Sequence, residues 1–282
     1  MADIRIRPGS NADVEAAYAV VEACGLGPWF ELTLDQFRGW WPAYKSTWLA
    51  DNDNVVGFAA ARGDAVEVYV IPGVRRRGIG SGLLAEAEEA VEGPRLETTA
   101  RRDEPTAAPF LALHGYRPIF EVWLMQIDVD DNPPEPRWPD GISVRSFRLE
   151  EATAVKELLD IAYAKEPGFR VRPFEDWSRF MLGDPSFEPG CWFVAEAPDG
   201  SLAGAVLNWK EGFIKDLVVH PAHRQRGLGE ALLRHTFRHF RARGARCVTL
   251  KTDSGNTSQA WRLYERLGMR KEQTYDVFEK RR

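Results

Sequence analysis

The chain has 282 residues, of which 44% are hydrophobic and 28% are charged, and its formal net charge is −5. These fractions are ordinary for a globular protein and exclude collagen-like, low-complexity and disordered chains. The length predicts two domains, since a domain typically has about 100–150 residues. No run approaches the roughly 20 apolar residues of a membrane helix, and the first residues lack the apolar core of a signal peptide, so a cytoplasmic protein is expected.

Charge is spread unevenly along the chain. Residues 1–140 carry 13 Lys and Arg against 23 Asp and Glu, whereas residues 141–282 carry 24 against 19. The resulting net charges of −10 and +5 favour an anionic ligand for the second half. Its basic residues fall on helical patterns without interleaved aromatic side chains, so we expect no nucleic-acid binding.

Residue types that bind metals or form disulfides are scattered. The cysteines Cys24, Cys191 and Cys247 form no Cys-x-x-Cys pair and no Cys/His cluster, so neither a zinc site nor a disulfide framework is expected. His235 and His239 have the i, i+4 spacing of helical metal ligands, but arginines surround them and no Glu partner or third ligand is nearby. We therefore predict a solvated basic helix face there and no bound metal.

The predicted elements run through the same order twice. An alternating strand at 4–7 precedes a helical segment at 12–23, and an alternating strand at 142–145 precedes a helical segment at 150–163. Each copy continues with clustered strands, a glycine loop, a helix, a strand, a helix and a final strand. In the second copy we predict strands at about 191–197, 202–209, 212–220, 246–252 and 273–279, and helices at about 150–163, 174–182, 228–243 and 257–267.

Matching motifs indicate that this order arises from an internal duplication. The Arg-x-x-Gly-x-Gly motif of residues 75–80 recurs at 224–229, and the His-Gly-Tyr-Arg of 114–117 matches Leu-Gly-Met-Arg at 267–270. The matches keep their order, and their offset drifts only from 138 to 153. Such a period predicts two copies of one fold rather than a solenoid.

The predicted fold class is α/β, with two tandem domains that are each a twisted mixed sheet flanked by helices. The boundary falls at 130–140, where four prolines exclude a helix or a central strand and indicate a semi-rigid linker. The expected domains are therefore residues 1–129 and 141–282.

The glycine loop is the most informative motif. In the second copy, an apolar strand runs through His220 and Pro221 into a loop with Gly227 and Gly229, and an amphipathic helix follows. A helix N-terminus offers unpaired N–H groups and a positive dipole end to an anion, and the glycines let a phosphate approach the backbone. The spacing fits neither a P-loop nor the GxGxxG dinucleotide fingerprint. Its occurrence in both copies predicts two phosphate cradles.

Arg-Gln-Arg-Gly-Leu-Gly at 224–229 and Arg-Arg-Arg-Gly-Ile-Gly at 75–80 resemble the Q/R-x-x-G-x-G/A acetyl-CoA loop of the GCN5-related N-acetyltransferase (GNAT) superfamily. Asn256, Ala260, Tyr264 and Gly268 resemble the block that follows this loop in the family. The duplicated layout resembles tandem GNAT proteins. The resemblance implies acetyl-CoA as cosubstrate, with its pantetheine arm between splayed strands at about 212–220 and 246–252.

The resemblance also implies which residues surround acetyl-CoA. In the second copy they are Leu217, Val218, Val219, Arg224, Gln225, Arg226, Gly227, Leu228, Gly229, Glu230, Asn256 and Tyr264. In the first copy they are Val70, Arg75, Arg76, Arg77, Gly78, Ile79 and Gly80.

Direct attack of an amine on a thioester needs a proton acceptor, an oxyanion donor and an acid for the leaving thiolate. The resemblance implies Tyr264 as the acid and the N–H of Val219 as the oxyanion donor. Asp216 is the candidate base or water-organising carboxylate, and Glu211 is its rival. Asn256 is expected to bind the cofactor arm or order a water, and also to cap the helix predicted at 257–267.

The first copy is only partly equipped for this chemistry. Its cradle is intact and Glu67 aligns with Asp216, but Leu111 stands where the second copy has Tyr264. Three further departures are Asp103 in place of the asparagine, and Pro105 and Pro109, which we expect to disturb the helix. The first domain is therefore expected to bind acetyl-CoA without turnover, or to act as a scaffold.

The only indication of an acceptor site is a set of aromatic residues that precede the core strands of each copy. They are Phe169, Phe174, Trp177, Phe180, Phe187 and Trp192 in the second copy, and Trp29, Trp40, Trp41 and Trp48 in the first. Most are expected to pack in the core and a few to line an acceptor cleft. The sequence thus predicts an acetyl-CoA-dependent N-acetyltransferase, a monomer or homodimer, acting on a primary amine of a small molecule or peptide. The alternative is a non-catalytic protein that binds or senses acyl-CoA.

Overall fold

The computed structural model describes residues 4–25, 33–129, 133–166 and 169–282. The chain folds into two units, of which unit 1 comprises Met1–Glu121 and Thr274–Arg282, and unit 2 comprises Val122–Gln273. Each unit contains a mixed sheet with helices, as the repeat in the sequence predicts.

Unit 1 begins with an antiparallel meander and ends with a parallel pair. Its elements are β1 (Arg5–Pro8), α1 (Val14–Ala23), α2 (Leu34–Trp40), β2 (Ser46–Asn52), β3 (Asn54–Arg62), β4 (Ala65–Val70), α3 (Ile79–Glu89), β5 (Arg95–Arg101) and α4 (Ala107–Leu113). Strands β1 to β4 pair antiparallel in chain order, and β4 pairs parallel with β5.

Unit 2 repeats this plan. The elements from β6 onward are β6 (Arg117–Asp128), β7 (Ser143–Ser146), α5 (Ala152–Tyr163), α6 (Phe174–Leu182), β8 (Phe193–Glu196), β9 (Leu202–Trp209), β10 (Phe213–Val219), α7 (Leu228–Ala242), β11 (Cys247–Asp253), α8 (Ala260–Arg266) and β12 (Arg270–Arg281). Residues 117–121 of β6 and 274–281 of β12 belong to unit 1. The strand order is β6-β11-β10-β9-β8-β7, and β10 and β11 are parallel. These bounds lie within three residues of most of those predicted.

The division into units cuts across the two copies of the repeat, since most of the last strand of each copy belongs to the other unit. In unit 1, β5 pairs with the C-terminal part of β12, from Arg101–Tyr275 to Arg95–Arg281. In unit 2, β11 pairs with β6, from Cys247–Asp128 to Asp253–Val122. The sequence predicts that these strands exist, but a repeat pattern does not record which sheet a strand joins. Residues 130–132 of the predicted linker lie outside the described residues.

Two apolar clusters pack on the opposite faces of each sheet and hold in place the strands that lead into the glycine loops. In unit 2, one cluster includes Leu232 of α7 and Leu250 of β11, and the other includes Leu159 of α5 and Val218 of β10. The central strand β9 is buried along almost its whole length, because helices cover both of its faces.

The prolines of the first copy do not disturb its last helix, contrary to the expectation. Both α4 and α8 have seven residues. Pro109 is the third residue of α4, and N–H groups in the first turn have no intrahelical partner. Proline is tolerated there because it removes a donor that the helix does not use.

Candidate active site

The loop between β10 and α7 presents backbone N–H groups at a helix start. Gln225 and Gly227 both adopt left-handed conformations, with φ of 59° and 83°. The Ala231 N–H donates to the Gly227 carbonyl at 3.0 Å, which leaves the N–H groups of the three preceding helical residues for other acceptors. A Cβ built on Gly227 meets nothing within 4 Å. The geometry is therefore that of an open anion cradle.

Unit 1 carries the same cradle. Arg76 and Gly78 have φ of 65° and 80°, and the Gly82 N–H donates to the Gly78 carbonyl at 3.0 Å. Gly80 and Gly229 occupy the same helical position in the two units. A Cβ there would meet only side-chain atoms, of Phe110 at 3.4 Å and of Leu263 at 3.3 Å, as nearest neighbours.

The first arginine of each loop braces the strand that precedes it. Arg224 donates from Nε to the Val219 carbonyl at 3.2 Å and from Nη2 to the Ala162 carbonyl at 2.8 Å. Arg75 likewise donates from Nε to the Val70 carbonyl at 2.8 Å, but its Nη1 is paired with Glu104 at 2.9 Å. The charge of the first cradle is therefore partly compensated by a carboxylate.

The paired strands beside each cradle separate after a short contact. Strands β10 and β11 are in register only at Phe213–Thr249 and Ile214–Leu250, and β4 and β5 only at Ala65–Glu97. Parallel strands normally continue to exchange hydrogen bonds along their length. Here the facing backbone edges diverge toward the cradle, as the predicted splay requires.

A β-bulge sets the orientation of Asp216. The register of β10 against β9 shifts between Ile214 and Asp216. Ile214 and Leu217 pack on the α7 side of the sheet, whereas Val218 packs on the α5 side. The extra residue reverses the alternation of side chains, so that Asp216 faces α5. In unit 1 the β3–β4 register runs without a shift from Gly57–Val70 to Arg62–Ala65.

Asp216 is the centre of a group of polar side chains. Tyr163, the last residue of α5, donates from its hydroxyl to Oδ1 at 3.0 Å, and Lys215 Nζ lies 3.4 Å from Oδ2. Burial, reinforced by the charge of Asp216, raises the pKa of Tyr264 and that of Tyr163 well above the ordinary tyrosine value. The structure thus brings together Asp216 and Tyr264, which were predicted, and Tyr163, which was not.

Asn256 lies in the turn after β11 and does not cap α8, which begins later than predicted. Its Oδ1 accepts the Ser258 N–H at 2.9 Å, and the N-cap position of α8 is Gln259. The neighbouring Thr257 N–H donates to Glu166 at 2.9 Å. Burial and then the charge of Glu166 raise the pKa of Asp253 on the same segment.

The aligned carboxylate of unit 1 bonds two tyrosines. Glu67 accepts hydrogen bonds from the hydroxyls of Tyr69 at 3.1 Å and Tyr44 at 3.3 Å, and burial raises its pKa. Phe58 stacks on Tyr69 with a centroid distance of 6.1 Å. Leu111, at the position of Tyr264, is buried. Unit 1 thus lacks the bulge of β10 and a counterpart of Tyr264, and aromatic residues surround Glu67.

Unit 1 nevertheless contains a cavity of about 390 Å³ beside its cradle. It runs from the loop to the separated strands and reaches the carboxylate of Glu67. The lining includes Glu67, Arg76, Gly78, Gly80, Ser81 and Thr99. An anion cradle at one end of a cavity of this size suits a phosphate-bearing small molecule.

Other predicted residues have different surroundings. Glu211 lies in the turn before β10 and accepts the Ser186 hydroxyl at 3.2 Å, away from the tyrosines. His235 and His239 do not form a solvated face: both pack on Phe193, with centroid distances of 4.4 and 4.9 Å, and burial lowers their pKa. This packing could not be predicted from the sequence, because the flanking arginines indicated an exposed helix face.

The predicted aromatic residues are mostly core residues. Trp177, Trp192, Trp41 and Trp48 are buried, whereas Phe174 is 36% exposed. Trp29 lies outside the described residues. Across the described ranges, His, Cys, Asp and Glu side chains do not gather in threes around a possible metal position. The helices of those same ranges are too short or too polar to cross a membrane.

Comparisons with known proteins agree with the two-unit organisation. Residues 153–269 match the model of the acetyltransferase (GNAT) family, and residues 43–118 match a model described as an acetyltransferase (GNAT) domain. The mycothiol acetyltransferase of Thermobispora bispora is 33% identical, over 99% of this chain and 98% of the relative. That of Salinispora arenicola is 32% identical, over 94% and 91%.

Solved structures give the same result. A GCN5-related N-acetyltransferase from Sphaerobacter thermophilus superimposes with a TM-score of 0.78 at 26% identity, over 99% of this chain and 95% of that one. A tandem GNAT protein from the clavulanic acid biosynthesis pathway has a TM-score of 0.75 at 20% identity, over 99% and 98%. The chain therefore belongs to the GCN5-related N-acetyltransferase superfamily and carries two GNAT domains in tandem.

Proposed function

We propose that unit 2 transfers the acetyl group of acetyl-CoA to a primary amine of a small molecule or peptide by direct attack. The observation that carries this proposal is the bulge in β10, which turns Asp216 toward Tyr163 and into the electrostatic range of Tyr264. Acetyl transfer needs a proton acceptor for the attacking amine and a proton donor for the leaving thiolate. Asp216 and Tyr264 supply the two roles in unit 2.

In this mechanism the diphosphate of acetyl-CoA lies on the backbone N–H groups of residues 225–230. The arm then follows the open edges of β10 and β11. The Val219 N–H holds the thioester oxygen as it gains negative charge. Asp216 takes a proton from the acceptor ammonium, directly or through a water. The amine then attacks, and Tyr264 protonates the departing thiolate. The raised pKa of Tyr264 suits this role, because it keeps the phenol protonated at neutral pH.

We further propose that unit 1 binds acetyl-CoA without turning it over. Its cradle has the same backbone conformation as that of unit 2, and the adjoining cavity has room for part of the cofactor arm. The chemistry is incomplete, because Leu111 replaces the phenol and the hydroxyls of Tyr44 and Tyr69 both bond Glu67. The competing function, a protein that only binds acyl-CoA, requires that unit 2 be equally inactive.

The test combines binding with turnover in the full chain. Acetyl-CoA is titrated calorimetrically into the parent, Gly80→Glu and Gly229→Glu, which place the same carboxylate in each cradle in turn. CoA release is then measured with the free-amine form of mycothiol, suggested by the relatives, and with a lysine-containing peptide. We expect Gly229→Glu to lose turnover and Gly80→Glu to keep it.

Each other outcome has a distinct meaning. Turnover that fails only in Gly80→Glu would move catalysis to unit 1. Tight binding without CoA release, with either acceptor, would favour the acyl-CoA-binding alternative. If the parent does not bind acetyl-CoA, both functions are wrong.

A further inference from the structure

Arg224 joins the end of β10 to the end of α5. Its Nε donates to the carbonyl of Val219, the last residue of β10, at 3.2 Å, and its Nη2 donates to the carbonyl of Ala162 at 2.8 Å. Ala162 lies in the last turn of α5, where carbonyls have no partner within the helix. A cation is also favoured there by the helix dipole. One guanidinium therefore holds a strand end and a helix end together.

The helix end that Arg224 holds carries Tyr163. This residue follows Ala162 in the chain, and its hydroxyl donates to Oδ1 of Asp216 at 3.0 Å. Asp216 and Val219 both belong to β10. Arg224 and Tyr163 thus attach α5 to the same strand at two points, one through backbone carbonyls and one through the carboxylate. If the first attachment is lost, the end of α5 can move, and the hydroxyl of Tyr163 moves with it.

The corresponding helix end of unit 1 has no hydroxyl to hold. Helix α1 begins at Val14 and α5 begins at Ala152, which is the offset of 138 that also relates the strands before them. At this offset Gly25 stands where unit 2 has Tyr163. A functional consequence of the arginine at the helix end is therefore expected in unit 2.

The two arginines share one bond and differ in another. Arg75 donates from Nε to the carbonyl of Val70, as Arg224 does to that of Val219, but its Nη1 donates to Glu104 at 2.9 Å. The bond that the two units share attaches the loop to the strand before it. The bond to the carbonyl of Ala162 is the one that places the tyrosine.

We propose that Arg224 is a positioning residue for acetyl transfer: it fixes the end of α5, so that Tyr163 keeps Asp216 in the orientation that the reaction needs. This inference rests on the proposed function, because the orientation of Asp216 matters only if unit 2 transfers the acetyl group. A residue that binds the phosphates of acetyl-CoA would change the affinity for the cosubstrate. A positioning residue changes kcat and leaves that affinity as it is.

The variant Arg224→Lys separates these two roles. Lysine keeps the positive charge, but its ammonium is a single point charge without the planar fork of donors that bonds two carbonyls at once. Arg224 is exposed, so the replacement leaves the apolar core intact. We expect kcat for CoA release to fall about tenfold, as for a catalytic group that is no longer held in place. The Kd for acetyl-CoA should stay unchanged.

The Kd is measured by calorimetry in the Gly80→Glu background, in which only the cradle of unit 2 remains open. Arg238→Lys is the matched control for kcat. Arg238 lies on α7 and also donates to a backbone carbonyl, that of Pro133 at 2.7 Å. The control makes the same replacement elsewhere in unit 2 and should leave kcat unchanged.

A double-mutant cycle with Tyr163→Phe tests whether Arg224 acts through the tyrosine. Once the hydroxyl has been removed, Arg224 has nothing left to position. In the Tyr163→Phe background, Arg224→Lys should therefore lower kcat less than about twofold, which is the error of additivity for independent sites. A general structural role would lower kcat by the same factor in both backgrounds.

Three results would overturn this inference and leave the proposed function intact, since the parent would still release CoA. They are a parent-like kcat in Arg224→Lys, weaker acetyl-CoA binding with a parent-like kcat at saturation, and equal losses of kcat with and without the hydroxyl of Tyr163. The second result would assign Arg224 to the phosphates. A parent that binds acetyl-CoA without releasing CoA would overturn the proposed function and this inference together.

Discussion

The hydrogen bond from Tyr163 to Asp216 offers the sharpest test of the site. In Tyr163→Phe the ring remains and only the donor to Oδ1, at 3.0 Å, is removed. A hydrogen bond to a charged group contributes about 1.5–3 kcal/mol. Lys215, 3.4 Å from the other oxygen, remains and keeps part of the stabilisation of the carboxylate. We therefore take the lower end of this range.

That energy predicts a loss of turnover. Without the hydrogen bond from Tyr163, the carboxylate of Asp216 is no longer held in one orientation, and a misplaced catalytic group slows the reaction. A loss of about 1.5 kcal/mol in the transition state corresponds to a roughly tenfold lower kcat.

The assay is CoA release at saturating acetyl-CoA and acceptor, with Tyr44→Phe as the matched control. Tyr44 donates to the aligned carboxylate, Glu67, at 3.3 Å. The control removes the same atom from unit 1 and should leave kcat unchanged. A parent-like kcat in Tyr163→Phe, with normal acetyl-CoA binding, would refute a catalytic role for the carboxylate that Tyr163 holds. A lower kcat in Tyr44→Phe instead would place turnover in unit 1.

Three other results are expected. Tyr264→Phe should lower kcat by about 10²–10⁴-fold with little change in the calorimetric Kd for acetyl-CoA; a parent-like kcat would exclude it as the acid. Gly227 and Gly200 both have φ near 80° and open space around an added Cβ. Replacing either by Ala should lower the free energy of unfolding by about 1–2 kcal/mol, but only Gly227→Ala should weaken acetyl-CoA binding. Because burial lowers the pKa of His235 and His239, the stability that they contribute as neutral groups is complete above about pH 6.5 and is lost as the pH falls below it. Urea unfolding of a double His→Gln variant should therefore show a shallower decrease between neutral and acid pH, and a decrease equal to that of the parent would contradict this.

The elements and the cradles could be predicted from the sequence because they depend on local signals. Hydrophobic periodicity fixes where α7 and β9 lie, and the Gly-x-Gly motif marks both loops. The orientation of Asp216 could not be predicted, because a bulge reverses the alternation without a distinctive residue. Tyr163 was not predicted either, because it is the last residue of an ordinary amphipathic helix and no motif marks it.

The arginines and histidines show how tertiary context overrides a residue's usual role. Arg224 was expected among the residues around acetyl-CoA, yet two of its N–H groups bond the carbonyls of Val219 and Ala162. His235 was expected on a solvated face, yet it packs on an aromatic ring. In both cases the sequence specifies the functional group but not the neighbours that three-dimensional packing supplies.

The placement of residues 274–282 in unit 1 constrains when unit 1 can fold during synthesis of the chain. Strand β12 pairs with β5 across about 180 residues of intervening chain, and Phe278 completes a core otherwise built from the first 121 residues. Long-range strand pairings form late and leave the partner strand exposed until then. The sheet of unit 1 can therefore be completed only after the ribosome has released the last strand. A fragment cut within 130–140 would accordingly leave β5 without its partner. Point variants of the intact chain are therefore the way to test the proposed roles of the two units.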